Sequence, residues 1–171
     1  MQYYLAHGAT AAKYTMGFPL YGAGWAGGLT STNGGMYQNA TGVTDPTGAT
    51  TPNGTSPVPN ANGVGNCSSG DNQSSPAAGC DVLLTDGLAT YGTIVDLLNN
   101  GFTPTYDSTR CAARMFDSTT STVFSYDNAE SVQCKVNFIK SMGFGGGYVW
   151  AIKDDDPNGD LTKAIAGDLN P

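Results

Sequence analysis

The sequence is short of the residues that most often carry chemistry: one histidine, His7, and one glutamate, Glu130, among 171 residues. With a single imidazole and no two cysteines spaced as in a zinc knuckle or redox pair, no metal ligand set is visible. No cofactor is called for. Basic residues are also scarce, 7 against 14 acidic for a formal net charge of −7, and they cluster nowhere. A nucleic acid or an anionic membrane is therefore not an expected partner. No apolar run approaches the roughly 20 residues that cross a bilayer. The opening Met1-Gln2-Tyr3-Tyr4-Leu5 has neither the basic start nor the long apolar stretch of a signal peptide.

Glycine is abundant, at 24 residues, and only 12% of the chain is charged. Low charge with much Gly, Thr, Ser and Asn is common in exported proteins. Four acceptor sequences for N-linked sugar point the same way: Asn39-Ala40-Thr41, Asn53-Gly54-Thr55, Asn66-Cys67-Ser68 and Asn72-Gln73-Ser74. The expectation is a secreted, extracellular protein. Its four cysteines permit three pairings. Cys67–Cys80 with Cys111–Cys134 is favoured, because the first bridge would clip a loop with little else to order it. Free thiols stand as an equal alternative for the second pair, since Cys134 falls inside an expected helix.

The length suits one ordinary domain with a real core. Residues 2–7 read as the end of a helix stopped by Gly8, and Tyr14 to Tyr21 as a strand that Pro19 must end or bulge. From 27 to 80 the chain is a Gly/Thr/Asn/Ser/Pro-rich insertion, too polar to offset its own ordering entropy. "LATYGTIVDLLNNG" then sets Leu88, Tyr91, Ile94, Val95 and Leu98 at helical spacing, with Gly101 as the stop. Three short strand-like pieces follow at 102–107, 110–117 and 122–127. Residues 127–142 form the strongest helical pattern, with Asp127 as cap and Gly143 as terminator. "GGGYVWAIKDDD" (145–156) is a buried strand that delivers an aromatic ring and then a burst of acid, and "LTKAIAGDL" closes with a short helix. Helix, strand, insertion, helix, strand, helix is the grammar of a parallel β/α fold. Two such strands do not close a barrel of eight, so the chain reads as part of one.

Several stretches in order resemble family 18 glycoside hydrolases, the chitinases. "YTMGFPLYGAGW" is similar to that family's seventh barrel strand, usually Met/Leu-Gly-x-Pro-x-Tyr-Gly-Arg-x-Trp. "FSYDNAESVQCKVNFIKSMGFGGGYVWAIKDDDPNGDL" resembles its last flanking helix and eighth strand. "DGLATYGTIVDLL" and "YDSTRCAARMF" resemble the small α+β domain that walls the cleft. The resemblance implies an α/β fold: the C-terminal portion of a TIM (β/α)8 barrel with an inserted small α+β domain. The divisions would be 1–26 (barrel helix end and strand seven), 27–80 (polar insertion), 81–126 (inserted domain) and 127–171 (last helices and strand eight). It implies chitin or N-acetylglucosamine oligosaccharides as partners, with Trp150 as the hydrophobic floor beneath the sugar and Tyr21 and Trp25 beside it. Barrel strands also carry aromatics simply as core, and for Tyr21 and Trp25 packing is as good a reading.

The chain departs from the pattern at Ala23, where the family has Arg, and at Ala151, where many members carry an acid. It also lacks the Asp-x-x-Asp-x-Asp-x-Glu motif whose Glu protonates the leaving oxygen while the substrate's own N-acetyl group attacks. No catalytic residue is assigned. Glu130 sits in a helix's first turn, where the helix dipole accounts for it. Asp154, Asp156, Asn158 and Gly159 match the opening of a calcium loop, but Ile165 stands where its closing acid should be, and with Asp155 and Asp160 they read as a solvated turn. Hydrolysis would then need the N-terminal remainder of the barrel. The alternative is a non-catalytic chitin-binding or lectin-like module.

Overall fold

A computed structural model of the chain describes residues 2–40 and 88–169, with three two-residue strands at 42–43, 58–59 and 66–67. The elements run α1 (Gln2–Ala6), β1 (Thr15–Pro19), β2 (Tyr21–Ala26), the short β3 (Gly42–Val43), β4 (Val58–Pro59) and β5 (Asn66–Cys67), and β6 (Leu88–Thr90). Next come α2 (Tyr91–Asn99), β7 (Thr103–Asp107), β8 (Ala112–Asp117), β9 (Thr122–Tyr126), α3 (Ala129–Met142), β10 (Gly146–Trp150) and α4 (Asp160–Leu169). Among the described residues, no helix is long and apolar enough to cross a membrane.

The strand expected across 14–21 divides at Leu20. Its first half, β1, ends on Pro19 and pairs in parallel with β10, Thr15 opposite Gly146 through Pro19 opposite Trp150. Proline lacks an N–H, so the ladder stops there. Leu20 carries the chain over: its N–H donates to the Trp150 carbonyl and its own carbonyl accepts from Tyr91, both at 2.9 Å. The second half, β2, joins an antiparallel sheet in the order β3-β2-β9-β8-β7, with β6 also on β2.

Each sheet has its own core. Phe18 and Leu20 pack against Val132, Val136 and Ile139 of α3 and Leu161 and Ile165 of α4, all buried. In the antiparallel sheet, Met115, Phe124 and Ala113 close against Ile94 and Leu97 of α2. Gly24 admits the Phe124 ring, since a Cβ there would lie 2.4 Å from it. Tyr91 packs against both cores.

Three expectations need correction. The helix cap is Asn128 rather than Asp127: the Asn128 side chain accepts from Ser131 N–H and the Ser131 hydroxyl accepts from Asn128 N–H, each at 2.9 Å. Asp127 is buried instead, where it pairs with Lys135 and accepts from the Ser131 hydroxyl. Leu88 belongs to β6 and not to the helix, which Thr90 caps. The polar tract is also ordered at its start. Leu29 is 5% exposed and packs with Phe116 and Val123, while Met36 and Ala40 lie against them. Gln38 then ties the loop, accepting from Thr30 and donating to the Thr30 and Thr32 carbonyls, all at 2.9 Å. A few apolar anchors and one well-used amide outweigh the composition. Cys111 and Cys134 form a disulfide that joins the start of β8 to α3, Cα atoms 5.9 Å apart. The Cys67–Cys80 pairing lies outside the described residues.

Candidate functional site

Successive side chains on a strand point to opposite faces. On β1 and β10 this puts Met16, Phe18 and Val149 toward the helices, and Gly17, Pro19, Tyr148 and Trp150 on the other face. Trp150 is 68% exposed and Tyr148 57%. The Tyr148 ring reaches across to β1, so that a Cβ on Gly17 would lie 3.0 Å from its hydroxyl. The open face of the parallel pair is therefore an aromatic platform laid over glycine and proline. Tyr148 was missed from the sequence, although its place two residues before Trp150 would have put it on the same face. The Trp150–Ala151 peptide bond is cis.

The structure keeps Tyr21 next in sequence to the platform's edge and leaves Trp25 elsewhere. Tyr21 directly follows Leu20, whose N–H is bonded to the Trp150 carbonyl, and it is half-buried. Trp25 lies four residues along β2, roughly 13 Å away at strand rise. There it lines a separate hollow of about 340 Å³ with Leu29, Met36, Tyr37, Gln38 and Asn39. Ala23 stands between the two aromatics, opposite Ser125, and neither neighbour restores a cationic fork.

Two of the four acids after Trp150 turn inward, contrary to expectation, while Asp155 is half-buried and Asp160 stays exposed as expected. Asp154 and Asp156 are both buried. Asp154 accepts from Ala151 N–H at 3.3 Å, and burial raises its carboxyl above the ordinary range despite that bond. Burial also works on Asp156, but the Asp160 and Asn158 N–H groups outweigh it and hold this carboxyl low. Asp155 caps α4 through Leu161 and Thr162. Asp154, Asp155 and Asp156 spend their oxygens on the βα turn, and among the described residues no cluster could hold a metal ion. Tyr91, beside them, is pushed up to about 12 by burial, then by Tyr126 and these carboxylates. Glu130 is exposed in the first turn of α3, where its carboxylate accepts from Asn128. His7 is exposed behind α1, stacked on Tyr3 with ring centroids 4.1 Å apart.

By fold the chain belongs with the chitinase-like α/β proteins. It superposes on the class V chitinase from Nicotiana tobaccum with a TM-score of 0.69 at 21% identity, over 99% of this chain and 38% of that one. A structure of that protein is titled as a complex with NAG4. The family follows from sequence: residues 1–155 match the profile of glycosyl hydrolases family 18, and the chain is a member of that family. It is 29% identical to Chitinase A1 of Niallia circulans over 98% of its length, and 28% identical to Chitinase B of Serratia marcescens over 96%. It spans only 19% and 29% of those two relatives. The chitinase-like agglutinin of Robinia pseudoacacia shares the fold as well, with a TM-score of 0.63 at 20% identity over 99% of this chain and 36% of that one.

Proposed function

We propose that this chain is the C-terminal part of a secreted family 18 chitinase, in which the parallel pair and its helices are the last strands of a (β/α)8 barrel. The antiparallel sheet with α2 is then the inserted domain beside the cleft. The observation that carries the reading is the open face of β1 and β10, where Tyr148 and Trp150 stand exposed over Gly17 and Pro19. A flat ring suits the apolar face of a pyranose, and burying it against sugar removes apolar area from water. Trp150 is the floor and Tyr21 its flank; Trp25 faces its own hollow. Joined to the strands that carry the acidic motif, the platform would hold N-acetylglucosamine chains for substrate-assisted hydrolysis with retention. Alone, with its acids committed to the turn, the chain binds without cleaving.

Titration with N-acetylglucosamine tetramer should show saturable binding that Trp150→Ala weakens by tenfold or more. Unchanged affinity would refute the floor. Turnover of chitin by the purified chain, free of contaminating enzyme, would refute the inactivity. A second reading, a lectin-like module, is favoured by the same exposed platform standing without an acid. It is distinguished by sequencing upstream: a family acidic motif there selects the enzyme.

A further inference from the structure

The hollow that holds Trp25 is walled by the segment just after β2. Along 36–40 burial alternates: Met36 and Ala40 pack inward beside Leu29, and Gln38 is tied to Thr30 and Thr32. The intervening Tyr37 and Asn39 face outward, Tyr37 73% exposed and Asn39 exposed. Tyr37 holds φ at +62°, a left-handed conformation that a bulky residue rarely takes. Such an outlier persists only where its surroundings fix it, and it points to a functional role. Asn39 also opens the sequence Asn39-Ala40-Thr41, an acceptor for N-linked sugar. Trp25, 39% exposed, forms another wall of the same hollow.

We propose that Asn39 carries an N-linked glycan, and that its first N-acetylglucosamine packs on the Tyr37 ring at the mouth of the Trp25 hollow. The bond joins the Asn39 amide nitrogen to the sugar's anomeric carbon, displacing the lipid pyrophosphate of the donor oligosaccharide, while the amide gives up a proton. A pyranose has an apolar face suited to an aromatic ring. An aromatic two residues before the acceptor, held on its side of the chain, supplies that ring with no further ordering. About 340 Å³ is room for one such sugar. The N-acetylglucosamine could also come from free chitin. The sugar attached at the rim is preferred, because the acceptor asparagine is itself part of the wall. In the natural protein the inference rests on the export proposed above.

The test is made independent of that export by appending a leader and secreting the protein from a eukaryotic host. Peptide mass analysis, after enzymatic deglycosylation in heavy-oxygen water, should find Asn39 converted to labelled Asp. Removing the glycan should lower Tm by about 2–4 °C, the shift that a contact the size of an aromatic pair gives in a chain of this length. Tyr37→Ala should abolish that difference and Tyr37→Phe should keep it. An unmodified Asn39, whether or not Asn53, Asn66 or Asn72 carry sugar, overturns the proposal. So does a modified Asn39 whose glycan leaves Tm unchanged. Finally, N-acetylglucosamine tetramer is titrated against Asn39→Gln protein in a Trp150→Phe background, where Trp25 alone reports. No fluorescence change is expected; saturable quenching would assign the hollow to free chitin and overturn the inference without touching the Trp150 floor.

Discussion

The parallel pair and the antiparallel sheet treat their two faces differently. The antiparallel sheet is covered on both, by α2 on one and by the segment 27–40 on the other. The parallel pair packs one face on α3 and α4 and leaves Tyr148 and Trp150 bare on the other. Among the described residues it also has no third strand. A sheet packed from both sides keeps nearly all of its large apolar rings within the chain, Trp25 excepted. One with an aromatic face and open edges has surface in hand for something else.

The difference can be broken first in the finished sheet. Phe124 is fully buried between β9 and α2. Phe124→Ala should cost about 3–5 kcal/mol in urea unfolding. A loss under 1 kcal/mol would mean that this core is not what holds the sheet. Next comes the bridge between the regions. Cys111 and Cys134 are 23 residues apart, and replacing both by serine should cost about 3 kcal/mol by loop closure. An unchanged midpoint under reducing and oxidising conditions would remove the bridge from the ledger.

A third effect lies at the seam. Burial holds Tyr126 and Tyr91 up to about 12 from an ordinary 10.0. A raised pKa keeps the proton in the folded chain after the unfolded chain has lost it. The contribution is therefore intact below pH 10 and is lost as pH rises toward 12. Tm should fall across that window, and less steeply in Tyr126→Phe.

Glycines on opposite faces of one strand pair sharpen the comparison further. A Cβ on Gly147 would stand 2.5 Å from the Phe18 ring, on the packed face, so Gly147→Ala should cost about 1–3 kcal/mol. Gly17→Ala meets only the hydroxyl end of the exposed Tyr148, and should cost less than about 1 kcal/mol. Equal costs would mean that the second face is not open.

Much of this was readable from the sequence wherever a local rule decided the matter. Pro19 ended a strand, Gly143 ended a helix with φ +64°, and the three short strands fell within a residue or two of their expected places. The sequence misled where tertiary context won. Asp127 looks like a helix cap, but Lys135, eight residues on, draws it into a buried pair. Composition alone made residues 27–40 a polar loop; Leu29 and the Gln38 amide order it through partners that no local pattern announces. The turn acids read as solvated because charge favours water, but Asp154 is buried against the Ala151 N–H and Asp156 against the N–H groups of Asn158 and Asp160, partners set by the fold of the turn. For the site, family resemblance singled out Trp150 but missed Tyr148, which strand alternation could have placed on the same face. That Trp25 lies away from them was hidden, since it depends on the chain leaving one sheet for another at Leu20.

The smallest expected effect is the most telling. Trp150 makes up much of the open face, yet at 68% exposure it contributes little packing within this chain. Trp150→Ala should therefore shift urea unfolding by no more than about 0.5 kcal/mol, the range of an ordinary surface change. A residue so large is usually costly to truncate, about 3–5 kcal/mol when buried. The measurement thus separates a ring held for a ligand from a ring held for the core. If stability falls by the buried amount, the platform is core that happens to be uncovered, and the contrast between the two sheets dissolves. If stability holds while affinity for N-acetylglucosamine tetramer drops, the ring's apolar area is being kept for sugar.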